Sequence, residues 1–112
     1  MKKIQEERIS DKFRNHLSVF LFFNELEDVD FEKNNFIPYI YNLMKIEYNK
    51  LIEMASKIND PNLTEKLAKL APPVIILKNY VQGYKTKADV LKSKEDLEIE
   101  DSINSILELL EK

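Results

Sequence analysis

The sequence predicts an all-α protein, a compact bundle of five or six short helices, and three features of it say so. Apolar residues recur at steps of three and four along most of the chain, helix-starting and helix-ending residues stand at the joints, and only one short run has strand character. That run, Val74-Ile-Ile-Leu77, has no second strand to pair with, so it too reads as helix.

The first helix is expected at about 10–26, with Ser10 or Asp11 as its N-cap and Ile9, Phe13, Leu17, Phe20 and Phe23 on one stripe. Around Leu17 to Phe23 the apolar arc exceeds one face, so this helix is either central or covered by a partner. The acid- and Asn-rich stretch 25–35 reads as a loop closing on an Asn35 N-cap, with Pro38 in the first turn of the next helix. That second helix carries Ile37, Ile40, Met44, Leu51, Ala55 and Ile58 on its stripe, with Tyr39, Tyr41 and Tyr48 beside or opposite it. Asn59-Asp60-Pro61 ends it, and Asp60 caps the third helix with Pro61 at the first position.

Leu63, Leu67 and Leu70 mark a short third helix that Pro72-Pro73 stops, and the same prolines open a fourth carrying Val74, Leu77, Val81 and Tyr84. The single glycine, Gly83, fits a left-handed C-cap. Thr86-Lys-Ala-Asp89 and Ser93-Lys-Glu-Asp96 both have capping-box form, giving a short helix at about 87–92 and a last one from about Asp96 to Leu110. On that last helix Ile99, Ile103, Ile106 and Leu110 share a stripe.

The 112 residues, 44% apolar and 33% charged, fit one domain, 1–112, with a frayed stretch at 1–8. No cysteine is present, which removes disulfides, thiolate metal sites and thiol catalysis. No apolar run reaches membrane-spanning length, so the expected setting is soluble and cytoplasmic.

Motifs for chemistry fail one after another. One glycine cannot build a phosphate-binding loop. His16 lacks the Glu-x-x-His context of di-iron bundles, and neither Arg8 nor Arg14 stands at the spacing of the HEPN helical nucleases, so His16 reads as structural. Asp28, Asp30 and Glu32 have the opening spacing of a calcium loop, but Lys33 stands where the turn glycine belongs and Tyr39 where the bidentate Glu belongs. The segment Leu63 to Gly83 is partly similar to helix-turn-helix proteins, with Ala68 at the close-approach position. Pro72-Pro73 replaces the turn glycine, however, and Val74-Ile-Ile-Leu offers no side chain to base edges. No cofactor or metal, no enzyme activity and no small-molecule substrate is expected.

Charge is more informative than its total of −3. From Lys66 to Lys94 seven lysines face one acid, and from Glu95 to Lys112 seven acids face one lysine, a polarised half worth +6 and −6. Three readings follow. The last helix neutralises the lysines; or Lys78, Lys85, Lys87, Lys92 and Lys94, with Tyr80 and Tyr84, contact phosphate or an acidic partner; or the bipolar surface drives association. The aromatic residues Phe20, Phe22, Phe23, Tyr39, Tyr41 and Tyr48 form a second candidate surface, for a protein partner or a homodimer. The expected function is a non-catalytic interaction module, a small adaptor, regulator or assembly subunit. The alternative is a nucleic-acid-associated subunit working through the Lys-rich segment 66–94.

Overall fold

Two 3-10 turns splice shorter helices end to end, so the chain reads as five rods rather than a string of separate helices. The computed structural model describes residues 9–111, and the expected fraying at 1–8 lies outside them. Among the described residues there is no strand, and the all-α expectation is met.

The first rod joins α1 (Ile9–Leu17) to α2 (Leu21–Asn24) through a 3-10 turn at Ser18–Phe20. Leu17, Phe20 and Leu21 all stay in the right-handed helical region, so the turn tightens the rod without breaking it. Phe13, Leu17, Phe20 and Phe23 are fully buried as the stripe predicts. Ile9 is not: 47% of it is exposed, and among the described residues it lines a shallow cleft with Leu110 and Glu111 at the tail of the last helix. Ser10 and Asp11 lie inside α1 rather than capping it.

The second rod is α3 (Phe36–Ile58), the longest element, which packs on α1, α4 and α5. Ile37, Ile40, Met44, Leu51 and Ala55 are buried, whereas Ile58 at its last turn is 37% exposed. Asn35 does not cap it by side chain: at φ 60 and ψ 13 it sits in the left-handed region, which Asn tolerates but from which its amide does not reach the first turn. Asn59, also at φ 60, ends the helix as a left-handed C-cap, and the Asp60 carboxylate then accepts from the Asn62 N–H at 2.9 Å, with Pro61 first in the next helix.

The third rod joins α4 (Pro61–Leu67) to α5 (Ala71–Val81) through a 3-10 turn at Ala68–Leu70. Leu67, Ala68, Leu70 and Ala71 all remain right-handed, so no turn separates two helices and the likeness to a helix-turn-helix fails. Leu67 ends α4 ahead of the prolines, which occupy the first turn of α5 where a missing N–H removes no helical bond. Gly83 (φ 89) closes α5 in a Schellman motif, with Tyr84 N–H to the Asn79 carbonyl at 2.8 Å and Gly83 N–H to Tyr80 at 3.0 Å. The chain thus leaves the helix before Tyr84, which is 78% exposed, and Val81 is 42% exposed, so neither extends the core stripe of Leu77.

The last two rods are α6 (Lys87–Asp96) and α7 (Ile99–Leu110). Thr86 and Asp89 form the expected reciprocal box, with Thr86 N–H to the Asp89 carboxylate at 2.9 Å and Asp89 N–H to the Thr86 hydroxyl at 3.2 Å. The second expected box does not form, because α6 runs on through Ser93, whose hydroxyl donates to the Asp89 carbonyl at 2.8 Å. The break comes later, at Glu98 (φ 47), and α7 starts at Ile99. Ile99, Ile103, Ile106 and Leu107 are buried, while Leu110 is half-buried at the helix end. Both α3 and α7 pack on α1 and α4, and α6 packs on α5 and α2.

Candidate functional site

The seven lysines from Lys66 to Lys94 do not form one surface, because successive helices turn them to different neighbours. Lys66 donates to the Ser105 hydroxyl of α7 at 2.6 Å. Lys66 and Lys69 line a cleft of about 420 Å³ together with Asp96, Glu98 and Asp101, so these two lysines share a surface with acids of the terminal segment. Lys87 pairs with Asp28 at 3.5 Å, and Lys94 donates to the Leu26 carbonyl, so α6 holds the acidic 25–32 segment.

That segment is an ordered strap. Its 3-10 turn, Asp28–Glu32, is closed by the Glu27 N–H donating to the Asp30 carboxylate at 2.8 Å. Leu26 is buried, and Phe31 meets Tyr80 edge-on at 5.1 Å and 80°. Lys33, bonded at 2.9 Å, then the Glu27 N–H, hold the Asp30 carboxyl below the usual carboxylate range; its charge is committed inside the chain. No group of three metal-ligating side chains occurs among the described residues.

Lys78, Lys85 and Lys92 remain exposed and make no ion pair among the described residues. Asp89 stands between Lys85 and Lys92, its carboxyl held low first by the Thr86 N–H, then by the Thr86 hydroxyl, with the two lysines adding less. Exposed Glu95 and Asp96 follow, so α6 alternates in sign instead of presenting a basic stripe. Of the two tyrosines expected here, Tyr80 is half-buried against Phe31 and Tyr84 alone is free to stack.

The aromatic set divides as well. Phe20 and Phe23 are 0% exposed and belong to the core, which corrects their reading as interface residues: α3, α6 and α7 close over the broad apolar arc of the first rod. Tyr48 is half-buried edge-on to Phe20 at 6.4 Å, and burial raises its phenol pKa. Tyr41 is half-buried with the Lys45 ammonium 5.3 Å from its ring centre. Phe22 (43%) and Tyr39 (60%) stand out in solvent.

Tyr39 leads to the feature that stripe-reading missed. On α3 the residues Tyr39, Asn42, Ile46, Asn49, Glu53 and Ser56 recur at steps of three and four, opposite the core stripe, and every one is exposed. Ile46 is 49% exposed and Ile52, beside the row, 38%. From Tyr39 to Asn49 the row carries no charge. Glu47 is turned inward, its carboxylate against His16 Nδ1 and 3.6 Å from Lys50, with only 13% of its side chain exposed. His16 thus ties α1 to α3 and also draws a carboxylate away from this face. The signal was available in the sequence: the complement of the core stripe is centred on Asn42, Ile46, Asn49 and Glu53.

No helix among the described residues is long and apolar enough to cross a membrane. Compared with protein-family models, curated proteins and solved structures, the chain matches none of them.

Proposed function

We propose that this chain is a non-catalytic helical interaction module, a small adaptor, regulator or assembly subunit of the cytoplasm, that binds protein through the outward row of α3. One observation carries the reading: Tyr39 and Ile46 lie 60% and 49% exposed in the stretch of the row from Tyr39 to Asn49, which bears no charge, on the longest helix. Single exposed apolar residues are ordinary on any surface, but here tyrosine and isoleucine are aligned two turns apart with amides between them. Contact surfaces are enriched in tyrosine and depleted of charge at their centres, which this row reproduces.

A photo-crosslinking amino acid placed at Ile46 or Tyr39 tests the reading inside cells. Adducts to a discrete protein, lost when the probe is moved to Lys12 on α1, are the expected outcome. Equal labelling from both positions would overturn it.

A second reading rests on Lys78, Lys85, Lys92 and Tyr84, the exposed remnant of the basic segment. If each lysine neutralises one phosphate, three contacts give a log–log salt slope of about −2.7, or roughly a 40-fold affinity loss between 50 and 200 mM salt. An oligonucleotide titration showing that slope, flattened by Lys85→Glu with Lys92→Glu, would favour this reading; salt-insensitive or absent binding removes it.

A further inference from the structure

We infer that the occupant of the α3 row is a second copy of this chain, packed antiparallel across a two-fold axis at Ile46. The inference rests on the reading of α3 as a contact surface and goes on to name the partner. A two-fold contact requires a face that complements itself when reversed, and closed two-fold dimers are the commonest oligomers.

The α3 row meets that requirement about Ile46. Tyr39 lies seven residues before it and Glu53 seven after, each about 10.5 Å along the axis, so reversal sets the Tyr39 phenol of one copy opposite the Glu53 carboxylate of the other. The phenol donates and the carboxylate accepts, and the pair occurs twice. At the axis itself stands an apolar side chain, 49% exposed, flanked by Asn42 and Asn49, so no like charges meet there.

The two charges next to the axis both have partners within their own chain. Glu47, one residue from Ile46, is held inward by His16, and Lys45, on the other side, is drawn over the Tyr41 ring. The outward face of α7, with Glu100, Asp101 and Glu108 exposed and no lysine or arginine, offers only like charges to a second copy of itself. A helix of 23 residues spans about 34 Å, and one helix face buries less than the roughly 800 Å² per partner of a standard interface. The dimer is therefore concentration-dependent and exchanging.

The absence of cysteine from the chain makes the test direct. Ile46→Cys places a thiol on the axis, within the roughly 7 Å Cα separation a disulfide bridges, and mild oxidation should give covalent dimer at least about tenfold faster than Lys12→Cys does. Mixing Tyr39→Cys with Glu53→Cys chains should trap the mixed dimer, while Tyr39→Cys alone, its two thiols about 21 Å apart along the axis, should not. Equal rates for Ile46→Cys and Lys12→Cys, or self-linking of Tyr39→Cys as fast as the mixture, would overturn the inference. If the photo-probe at Ile46 captures another protein while Ile46→Cys forms no dimer, the second copy is refuted and the interaction reading stands.

Discussion

Replacing Met44 by Ala and, separately, Ile46 by Lys separates the two faces of α3 at positions only two residues apart. Met44 is 0% exposed on a helix that packs on α1, α4 and α5, so truncation removes buried methylenes and leaves a cavity, a loss of about 2–5 kcal/mol. Ile46 is 49% exposed, and lysine is at least as good a helix former as isoleucine, so its replacement should fall within about 0.5 kcal/mol of the native chain. Urea unfolding followed by circular dichroism, at a chain concentration low enough to keep the protein monomeric, reads both. The slope of free energy against urea should stay constant, which shows that only stability has moved. An Ile46→Lys variant as damaged as Met44→Ala would mean that Ile46 is packed within its own chain, and the outward row could not then be a contact surface. An undamaged Met44→Ala would refute the core itself.

Three further outcomes follow from the joints between helices. Asp60→Ala should lower stability by about 1 kcal/mol in the same urea assay, because its carboxylate accepts from the first turn of α4. Gly83→Ala should cost about 1–2 kcal/mol although nothing lies within 4 Å of the added methyl, since the penalty is the positive φ and not a clash; Gly83→Asn should recover part of it. Asp89 and Asp30 have carboxyls lowered in the folded state, so the stability they contribute is complete above the unfolded carboxylate range and is lost as pH falls through their lowered values. Asp89→Asn should therefore flatten the acid limb of a stability-against-pH profile, and an unchanged limb would contradict the capping geometry.

Much of the fold was legible because local signals and burial agreed. The stripe Phe13, Leu17, Phe20 and Phe23, the Asp60-Pro61 start and the Gly83 stop all appear where spacing places them, since each depends on a few neighbouring residues. Failures came where the outcome depends on distant chain. Ser93 has the local form of a cap, but α6 continues past it, and the break waits for Glu98. Ile9, the first described residue, and Ile58, in the last turn of α3, obey the periodicity but are 47% and 37% exposed.

The candidate surfaces were harder for the same reason. Summing charge along 66–94 treats seven lysines as one patch, whereas the bundle sends Lys66 to α7 and Lys87 and Lys94 to the acidic strap. The broad arc of the first rod was visible in the sequence, but the helices that close over Phe20 and Phe23 were not. Tyr39 stands out in the sequence as an aromatic beside the core stripe, whereas Ile46 is one of many isoleucines and only its place on the opposite face distinguishes it.

Amide proton–nitrogen spectra of the native chain recorded over a range of concentrations test the central claim most directly. The expected result is shift changes that grow with concentration and map to Tyr39, Asn42, Ile46, Asn49 and Glu53, and that vanish in Ile46→Lys. Spectra that do not change with concentration, or changes centred on Lys78, Lys85 and Lys92, would contradict it.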